Sequence, residues 1–211
     1  MINNNGFSRF TAEYDAWYDR NRPLYEQELA AIDRLLPQPG IGLEVGVGTG
    51  RFAGPLGIDF GLDISLSMSR RAAARAVTVV CGRAEELPFK ENEFDYILLM
   101  TALSFLADPI TATAECARCL KPGGRIVIGF IDRDSALGRK YLQKRDQSRF
   151  YGAARLMTAA EVAGLLTEVG FTEPDFLQIL LPTPESDSPD PVIVPGYGEG
   201  GFVVVRAKKT G

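Results

Sequence analysis

The sequence predicts a doubly wound α/β fold, in which helices cover both faces of a mostly parallel sheet. Short apolar runs alternate with segments of helical periodicity from about residue 20 to residue 181, and strands that alternate with helices of about 10–15 residues are typical of parallel sheets. A glycine-rich turn follows directly on the first of these runs, at the place where such folds bind their ligands. The length of 211 residues favours one domain.

Seven apolar runs are predicted as strands. Most are rich in β-branched or aliphatic residues and bounded by polar or turn residues, as strands are. The fourth run is almost continuously apolar, which indicates a strand that is buried on both faces. The predicted strands are IGLEV (41–45), GLDI (61–64), VTVV (77–80), FDYILLM (94–100), GGRIVIGF (123–130), residues 176–181 and GFVVVR (201–206).

Two of the helices between these runs carry clear start signals. Asp108 followed by Pro109 is typical of an N-cap with proline at the first helical position. Thr158 with Glu161 three residues later predicts a capping box.

Two stretches interrupt the alternation. Residues 132–155 are polar and basic, and residues 182–195 contain five prolines. Because proline lacks a backbone N–H donor, the second stretch is predicted to be neither a central strand nor a helix. We interpret it as a surface flap between the sixth and last strands. The prolines are Pro182, Pro184, Pro189, Pro191 and Pro195.

Composition and charge exclude several classes of protein. The 23 basic and 27 acidic residues give a formal charge of -4, which argues against a protein that coats nucleic acid. We find no run approaching the roughly 18 apolar residues of a membrane span, and MINNNGFSRF has no apolar stretch typical of a secretory signal. Three cysteines cannot form a closed set of disulfides, so we expect a cytoplasmic protein.

The chain contains no histidine. This absence excludes Ser-His-Asp and Cys-His triads and histidine-ligated metals, and it removes the most common general base near neutral pH. Any chemistry must therefore depend on other side chains or on a cofactor that is itself reactive.

The strongest local signal is LEVGVGTGRF, at residues 43–52. The first strand reaches Glu44, and the chain then turns through Gly46, Gly48 and Gly50. Glycine permits positive φ and lets the backbone approach a ligand closely, and the start of the next helix offers free N–H groups to an anionic group. Taken alone, the segment is also compatible with an ordinary tight turn.

Asp63 adds a second carboxylate. It closes the second predicted strand, 19 residues after Glu44, where a carboxylate of a doubly wound fold accepts hydrogen bonds from ribose hydroxyls. The alternative is that Asp63 caps the next helix, although Ser65 could fill that role instead. The dinucleotide fingerprint G-x-G-x-x-G would need glycine at position 51, which is Arg51, so the spacing disfavours a nicotinamide cofactor.

These residues resemble the class I S-adenosylmethionine (AdoMet)-dependent methyltransferases, and within them the branch of the ubiquinone/menaquinone-biosynthesis type enzymes. The resemblance covers almost all of residues 41–130, and the remainder of the chain agrees only in architecture. It implies a Rossmann-like, seven-stranded, mostly parallel sheet with an antiparallel last strand. The matching segments are LEVGVGTGRF (43–52), GLDIS (61–65), GRAEELPFKENEFDYILLMTALSF (82–105) and CLKPGGRIVIGF (119–130).

The resemblance also implies an AdoMet site at the carboxyl ends of the first strands. Glu44 would orient the glycine turn and the methionine amino group, and Asp63 would hold the ribose hydroxyls. Tyr14 and Tyr18 are similar to residues of a lid helix over the cofactor; the alternative is a helix that packs its aromatic rings on the core. The other implied contacts are Gly46, Gly48 and Gly50 around the methionine and ribose, Ile64, Ala84 and Glu85 at the adenine, and Met100 and Thr101 beneath the methionine.

Methyl transfer from a sulfonium does not require histidine. The cofactor brings an activated leaving group, and the protein supplies position and field. A base is needed only if the acceptor arrives protonated. The candidates near the end of the fifth strand and in the last loop are Asp132, Tyr197 and Glu199, and the identity of any catalytic residue remains open.

We therefore expect a single methyltransferase domain that acts on a small molecule. Residues 132–155 carry seven basic side chains against three acidic ones, which favours an anionic acceptor; the alternative is a solvated helical face. Nucleic acid is not expected as a partner. The predicted parts of the domain, 1–211, are N-terminal lid helices at 1–40, an AdoMet-binding core at 41–130, and insertions beside the acceptor site at 131–157 and 182–200.

Cys116 and Cys119 have the spacing of redox and zinc sites. A redox pair needs its first cysteine at a helix amino end, and a structural zinc needs four ligands. We instead expect two small buried residues on one helix face and no metal site. Two other functions remain open: a nucleotide (NAD(P))-dependent oxidoreductase on the same fold, and a non-catalytic AdoMet-binding domain.

Overall fold

The computed structural model of the chain describes residues 5–182 and 190–210. The helices in this part of the chain are α1 (Asn5–Arg9), α2 (Thr11–Arg20), α3 (Arg22–Leu35), α4 (Ala53–Leu56), α5 (Leu66–Ala73), α6 (Pro109–Cys119), α7 (Ala136–Gln143) and α8 (Ala159–Glu168). The strands are β1 (Gly42–Val45), β2 (Phe60–Asp63), β3 (Thr78–Cys81), β4 (Phe94–Met100), β5 (Leu120–Ile131), β6 (Phe171–Leu180), β7 (Val192–Pro195) and β8 (Phe202–Lys209). Two short 3₁₀ helices lie at Ala102–Phe105 and Arg145–Gln147.

The strands form one sheet in the order β3-β2-β1-β4-β5-β8-β6-β7. The first five strands of this order, β3, β2, β1, β4 and β5, are all parallel to one another. Strand β8 lies between β5 and β6 and is antiparallel to both. The direction of winding reverses between β1 and β4, which is the switch point where open α/β sheets leave a crevice for a ligand. The predicted doubly wound fold with an antiparallel last strand is confirmed.

The prediction of seven strands is wrong by one, because β7 forms an additional antiparallel pair with β6. It occupies the end of the proline-rich stretch and lies at the edge of the sheet. An edge strand tolerates proline because the N–H groups on its open side have no strand to pair with. Residues 183–189, with Pro184 and Pro189, lie outside the described residues.

The helix signals read from the sequence are confirmed. Asp108 Oδ1 accepts a hydrogen bond from the Thr111 amide at 3.1 Å, and Thr158 and Glu161 form the reciprocal capping box. Ser65 caps α5 by accepting from the Met68 amide at 3.4 Å. Such signals depend on a few neighbouring residues, so sequence alone can locate them.

Helices cover both faces of the sheet, as predicted. Alternate residues of β4 point to opposite faces, so Ile97 and Leu99 pack with α6 and α8 while Leu98 and Met100 pack on the other side. Helix α3 covers that second side through Ala31, which is fully buried. Helix α3 is therefore part of the core.

The CxxC pair lies on the buried face of α6. Cys116 and Cys119 are free thiols, and burial raises the pKa of Cys119 to about 11. A thiol with a raised pKa is a poor nucleophile and a poor redox group. Among residues 5–182 and 190–210, no group of three or more acidic or cysteine side chains could hold a metal ion. No helix in that part is long and apolar enough to cross a membrane.

Candidate functional site

A cavity of about 510 Å³ opens at the carboxyl ends of β1, β2 and β4. This is the size range of small-molecule sites. Its wall is built from the glycine turn, the end of β2, the segment after β3, the 3₁₀ turn after β4, and the N-terminal helices. Of the predicted cofactor residues, the wall contains Tyr14, Gly46, Gly48, Asp63, Ile64, Ala84, Glu85, Met100 and Thr101.

The glycine turn and the second carboxylate are joined directly. Gly48, at φ +53°, donates its N–H to Asp63 Oδ2 at 2.8 Å, and the Ser65 N–H donates to Asp63 Oδ1 at 2.8 Å. Each carboxylate oxygen keeps a further lone pair for a ligand hydroxyl. Burial raises the pKa of Asp63, and the two amide hydrogen bonds oppose that rise. Asp63 therefore faces the cavity, while Ser65 serves as the helix cap.

Glu44 lies behind the turn and not on the cavity wall. Its Oε2 accepts from the Ala53 amide at 2.8 Å, so it holds the start of α4 against the turn. Burial, and then the charge of Asp63, raise its pKa well above the ordinary range. This hydrogen bond ties Glu44 to the segment that follows the glycine turn, in line with the predicted orienting role, while its contact with the methionine amino group stays a prediction.

Gly50 and Tyr18 also lie off the wall. Gly50 has φ +77°, and a Cβ there would lie 2.9 Å from Ala72 Cα, so glycine is required for close packing on α5. Tyr18 is buried against Phe52, and its hydroxyl lies 2.8 Å from that of Tyr14. The two tyrosines thus divide the predicted roles, since Tyr14 lines the cavity and Tyr18 packs on the core.

The wall opposite the glycine turn is mostly apolar. Ile64 lines the cavity and is 46% exposed, so its side chain is accessible to a flat ring. Ala84 and Leu62 line the same region. Glu85 Oε1 accepts from the Ala107 amide at 3.0 Å, so its carboxylate is fixed at the rim.

The backbone after β4 is strained at the cavity. Thr101 has φ +52°, a left-handed conformation that costs energy for a β-branched residue. Its N–H donates to the Gly129 carbonyl at 2.7 Å, which fixes the bend. Such strain is often found where the backbone must approach a ligand, and Met100 and Thr101 both lie on the wall.

Several wall residues were not predicted from the sequence. Ala102, Phe105 and Leu106 follow β4 directly, so the rule that ligands bind at the carboxyl ends of strands could have found them. Phe7 and Ser8 reach the wall from α1, where no local pattern indicates it. Only the fold brings α1 across the sheet edge, where Ser8 Oγ donates to Ser65 Oγ at 2.8 Å.

The three candidate bases lie away from the cavity wall. Asp132 is buried and accepts from the Asp134 and Ala159 amides at 2.8 and 3.1 Å. Tyr197 packs against Phe176, on the strand pair that forms the far edge of the sheet. The amide of Glu199 donates to Gln178 on that same strand.

These positions correct the expectation that the last loop borders the site. Strand β7 and the residues after it pair with β6, and β8 and β5 separate β6 from β4. The carboxylate of Asp132 instead holds a turn and the start of α8.

The basic run does not supply cations to the wall either. Arg133 pairs with Glu161 at 2.9 Å, and Arg149 pairs with Glu13 at 2.9 Å. The aromatic side chains of residues 132–155 do approach the cavity, since the ring centroid of Phe150 lies 5.8 Å from that of Tyr14. The segment therefore backs the N-terminal helices with aromatic rings, and its charges lie mainly at the surface.

The wall fits AdoMet in charge and in shape. The cofactor has a sulfonium and an ammonium group, and Asp63 and Glu85 place carboxylates on the wall. Gly48 leaves room for a close backbone approach, because even a Cβ there would have its nearest contact at 3.7 Å. Apolar side chains line the part where an adenine would lie. Arg83 is the one basic residue of the described wall, and it pairs with Glu85 at 3.3 Å.

Comparisons with known proteins agree with this geometry. A family model described as a methyltransferase domain matches residues 43–128. The chain is 45% identical over 206 residues to an uncharacterised protein of Methanocaldococcus jannaschii, covering 97% of this chain and 99% of that one. The chain is also 38% identical over 130 residues to an uncharacterised methyltransferase of Mycobacterium tuberculosis. That match covers 57% of this chain and 51% of the relative, so the chain spans about half of the relative's length.

A solved structure is similar over the whole length. It is a SAM-dependent methyltransferase of Thermotoga maritima, named "possible histamine N-methyltransferase", with a TM-score of 0.93, 41% identity and complete coverage of both chains. The agreement of sequence, sheet order and site position leads to one assignment. The chain belongs to the class I S-adenosylmethionine-dependent methyltransferases, and S-adenosylmethionine is its cofactor.

Proposed function

We propose that this protein transfers the methyl group of AdoMet to a small-molecule acceptor. The observation that carries the proposal is the hydrogen bond of 2.8 Å between the Gly48 amide and Asp63, which makes the glycine turn and the ribose-binding carboxylate two sides of one cavity. When bound, AdoMet supplies a methyl group on a positively charged sulfur that is already an activated leaving group.

The roles proposed for the wall residues follow from their positions. Asp63 accepts the ribose hydroxyls with its free lone pairs, and Ile64 packs on the adenine. Glu85 lies at the adenine edge, and Met100 and Thr101 lie beneath the methionine. Gly46 and Gly48 leave space for the methionine and ribose, while Glu44 and Gly50 support the turn from behind and Tyr14 covers it.

For the domain organisation we propose one methyltransferase domain over residues 1–211. Helices α1 and α2 act as the lid, since Phe7, Ser8 and Tyr14 contribute to the wall. Residues 131–157 support the acceptor side through their aromatic rings. We propose the cytoplasm as the compartment because all three cysteines are free thiols.

The acceptor is proposed as a small molecule because the cavity, of about 510 Å³, has the size of a small-molecule site. We propose the branch of the ubiquinone/menaquinone-biosynthesis type from the resemblance of residues 41–130, and the fold alone does not determine the acceptor. The name of the Thermotoga maritima protein includes histamine, so small amines belong in the assay beside the anionic compounds that the basic run suggests. No base is assigned, since Asp132, Tyr197 and Glu199 lie off the wall.

Cofactor binding is tested by thermal shift. S-adenosylhomocysteine should raise the melting temperature, and NAD(P) should not, because a ligand stabilises the state that binds it. The reverse result would favour an oxidoreductase. A methyl-transfer assay with radiolabelled AdoMet across an acceptor library then separates an enzyme from a domain that only binds the cofactor.

The ribose contact is tested by Asp63→Ala. Loss of charged hydrogen bonds should weaken S-adenosylhomocysteine binding by about 1–3 kcal/mol, measured by isothermal titration calorimetry. Asp59→Asn is the matched control, since Asp59 is exposed on the approach to the same strand. Equal affinities in Asp63→Ala and the wild type would show that the ribose site is elsewhere.

A further inference from the structure

Three aromatic side chains line the cofactor cavity, and two of them, Phe7 and Phe105, take no part in the proposed cofactor contacts. Phe7 comes from α1, Tyr14 from α2 and Phe105 from the 3₁₀ helix after β4, and all three belong to the described wall. We call these three residues the aromatic wall. The ring centroid of Phe7 lies 5.5 Å from that of Tyr14 and 4.9 Å from that of Phe105. Segments distant in sequence thus bring their rings together at the cavity.

The aromatic wall is supported by further rings. The ring centroid of Phe150 lies 5.4 Å from that of Phe7 and 5.8 Å from that of Tyr14, and the centroid of Tyr151 lies 5.5 Å from that of Phe105. The three rings of the aromatic wall are nevertheless only half-buried. A ligand that covers them gains free energy from apolar burial, and it loses little of that gain to ordering the site because the rings are already packed.

A chain of hydroxyl groups fixes α1 beside the cavity. Ser8 Oγ donates to Ser65 Oγ at 2.8 Å. Ser65 Oγ and Ser67 Oγ lie 3.0 Å apart, and Thr11 Oγ1 lies 3.0 Å from Ser67 Oγ. These hydrogen bonds join the N-terminal helices to the start of α5. They hold Phe7, the neighbour of Ser8, at the wall without bringing a charge to it.

The aromatic wall adjoins the part of the cavity that is proposed to hold the methionine. A Cβ on Gly48 would have its nearest contact, at 3.7 Å, with the Tyr14 ring. The 3₁₀ helix of Phe105 begins at Ala102, and a Cβ on Gly46 would lie 2.6 Å from the Ala102 Cβ. The methionine part of AdoMet is an aliphatic chain with charged ends, which does not match a set of flat rings. The rings are therefore available to a second molecule beside the methyl group.

No charged side chain of the described wall is left without a protein partner. The charged wall residues are Asp63, Arg83 and Glu85. Asp63 accepts from two backbone amides and is proposed to hold the ribose. Arg83 pairs with Glu85 at 3.3 Å, and Glu85 also accepts from the Ala107 amide at 3.0 Å. Since a charge removed from water without a partner costs free energy, this wall favours an uncharged molecule.

The packing of the rings also disfavours a cation. Phe7 meets Tyr14 and Phe105 edge to face, at interplanar angles of 79° and 84°. The faces of aromatic rings attract cations, but in edge-to-face pairs the edge of one ring covers part of the face of the other. A flat ring, in contrast, can extend the same type of packing.

We propose that the aromatic wall is the acceptor subsite, and that the acceptor is an uncharged molecule with a flat aromatic ring. The subsite rests on the proposed methyl-transfer function and narrows its acceptors. An uncharged acceptor keeps the lone pair that forms the bond to the methyl carbon, whereas an ammonium ion has none. The electron pair of the breaking carbon–sulfur bond stays on sulfur. Any proton of the methylated atom passes to water, because none of the candidate bases lines the described wall.

The test is isothermal titration calorimetry of the full chain, saturated with S-adenosylhomocysteine, using 2-naphthol and its saturated counterpart decahydro-2-naphthol. The two alcohols share a carbon skeleton and are uncharged at pH 7, so the difference in their affinities reports on the flat ring. We expect 2-naphthol to bind about fivefold more tightly or better, because ring packing adds to apolar burial. The charged compounds 2-naphthoate and 2-naphthylmethylamine should bind at least about tenfold more weakly than 2-naphthol.

Matched variants separate acceptor binding from folding and from cofactor binding. Phe7→Leu and Phe105→Leu keep apolar side chains but remove a ring, and each should weaken 2-naphthol binding about threefold or more. Phe10→Leu is the control, because Phe10 follows α1 directly but lies off the described wall, and it should leave the affinity for 2-naphthol unchanged. Phe7→Leu and Phe105→Leu should bind S-adenosylhomocysteine and AdoMet with the affinities of the wild type.

The outcomes distinguish the two proposals. Failure of S-adenosylhomocysteine to bind would contradict the methyl-transfer function, while titration of the unliganded wild type and Phe7→Leu with 2-naphthol still tests the subsite. The subsite is overturned if 2-naphthol does not bind, if saturating S-adenosylhomocysteine displaces it, or if decahydro-2-naphthol or a charged naphthyl compound binds as tightly. It is also overturned if the two leucine variants bind 2-naphthol as the wild type does, or lose cofactor affinity instead.

Discussion

Asp15 connects the N-terminal helices to the glycine turn. Its carboxylate, on α2, accepts from Arg51 Nε at 2.8 Å, from Arg75 Nη2 at 3.0 Å and from Arg71 Nη1 at 3.4 Å. Arg51 follows the glycine turn, and the other two arginines lie on or just after α5. Because the adjacent Tyr14 lines the cavity, we expect Asp15→Asn to lower the free energy of unfolding and to weaken the packing of Tyr14 over the cavity.

The size of the effect follows from the surroundings of Asp15. Burial by itself raises the pKa of Asp15, but the hydrogen bonds from Arg51 and Arg75 outweigh it and lower the pKa from 3.8 to about 2, a shift that corresponds to roughly 2–3 kcal/mol. Breaking a fully buried pair costs about 3–5 kcal/mol. Here Arg51 keeps Asp19 at 2.8 Å, and Arg75 keeps the Thr49 carbonyl at 2.7 Å. We therefore expect a loss of about 2–3 kcal/mol.

The assay is urea unfolding of Asp15→Asn beside the wild type and Asp19→Asn. Asp19 bonds to the same arginine but is 67% exposed, so solvent screens it and its removal should have a much smaller effect. Because the pKa of Asp15 is lower in the folded state, its stabilisation is present above the unfolded pKa of about 3.9 and is lost as the pH falls towards 2. The reasoning is refuted if the free energies of unfolding of Asp15→Asn and the wild type differ by less than about 0.5 kcal/mol at pH 7. It is refuted equally if their difference persists at low pH.

Two other changes test the buried acid and the close packing of the turn. Burial raises the pKa of Glu28 from 4.5 to about 8, so the stability of the wild type falls as the pH rises through that interval. Glu28→Gln should therefore be more stable than the wild type by on the order of 3 kcal/mol at pH 7. Thermal unfolding from pH 4 to 8 should show the difference in stability widening, and a constant difference would contradict the reasoning. Gly50→Ala should cost about 2–4 kcal/mol in urea unfolding, since its Cβ would meet Ala72 Cα at 2.9 Å. Gly57 also has a positive φ, of +66°, but has open space around it, so Gly57→Ala should cost only about 1 kcal/mol. Equal losses in the two glycine variants would show that packing is not the cause.

The cofactor half of the site was largely predictable. Strand ends, the glycine turn and Asp63 are encoded in short stretches, and parallel strands carry their ligand at a fixed edge. Knowing that the glycine turn follows β1 directly and that Asp63 closes β2 was enough to place the turn and the second carboxylate together. The hydrogen bond between Gly48 and Asp63 confirms that placement.

The division of roles between Tyr14 and Tyr18 could not be read from the sequence. The two residues are four positions apart on α2, so they lie on the same side of the helix. Which ring faces the cavity depends on how α2 is placed over the sheet. That placement is fixed by contacts distant in sequence, such as the pairing of Asp15 with Arg51.

The positions of the candidate bases were decided by pairing across the sheet. Tyr197 and Glu199 follow a strand that the sequence presents as a proline-rich flap. Its pairing with β6 carries both residues to the far edge. Prolines exclude a central strand, but they do not exclude an edge strand, so the pattern alone could not settle where this segment lies.

The sequence by itself determined seven of the eight described strands, the caps of α6 and α8, and the acids near the ends of β1 and β2, because each depends on residues that are neighbours along the chain. The tertiary structure alone decided that α1 reaches the cavity, that the last loop does not line it, and that Glu28 on α3 is buried. Those features depend on contacts between residues that are not neighbours in sequence, such as Ser8 with Ser65, 57 positions apart, and Glu199 with Gln178, 21 positions apart. Burial and electrostatics act through space and not along the chain.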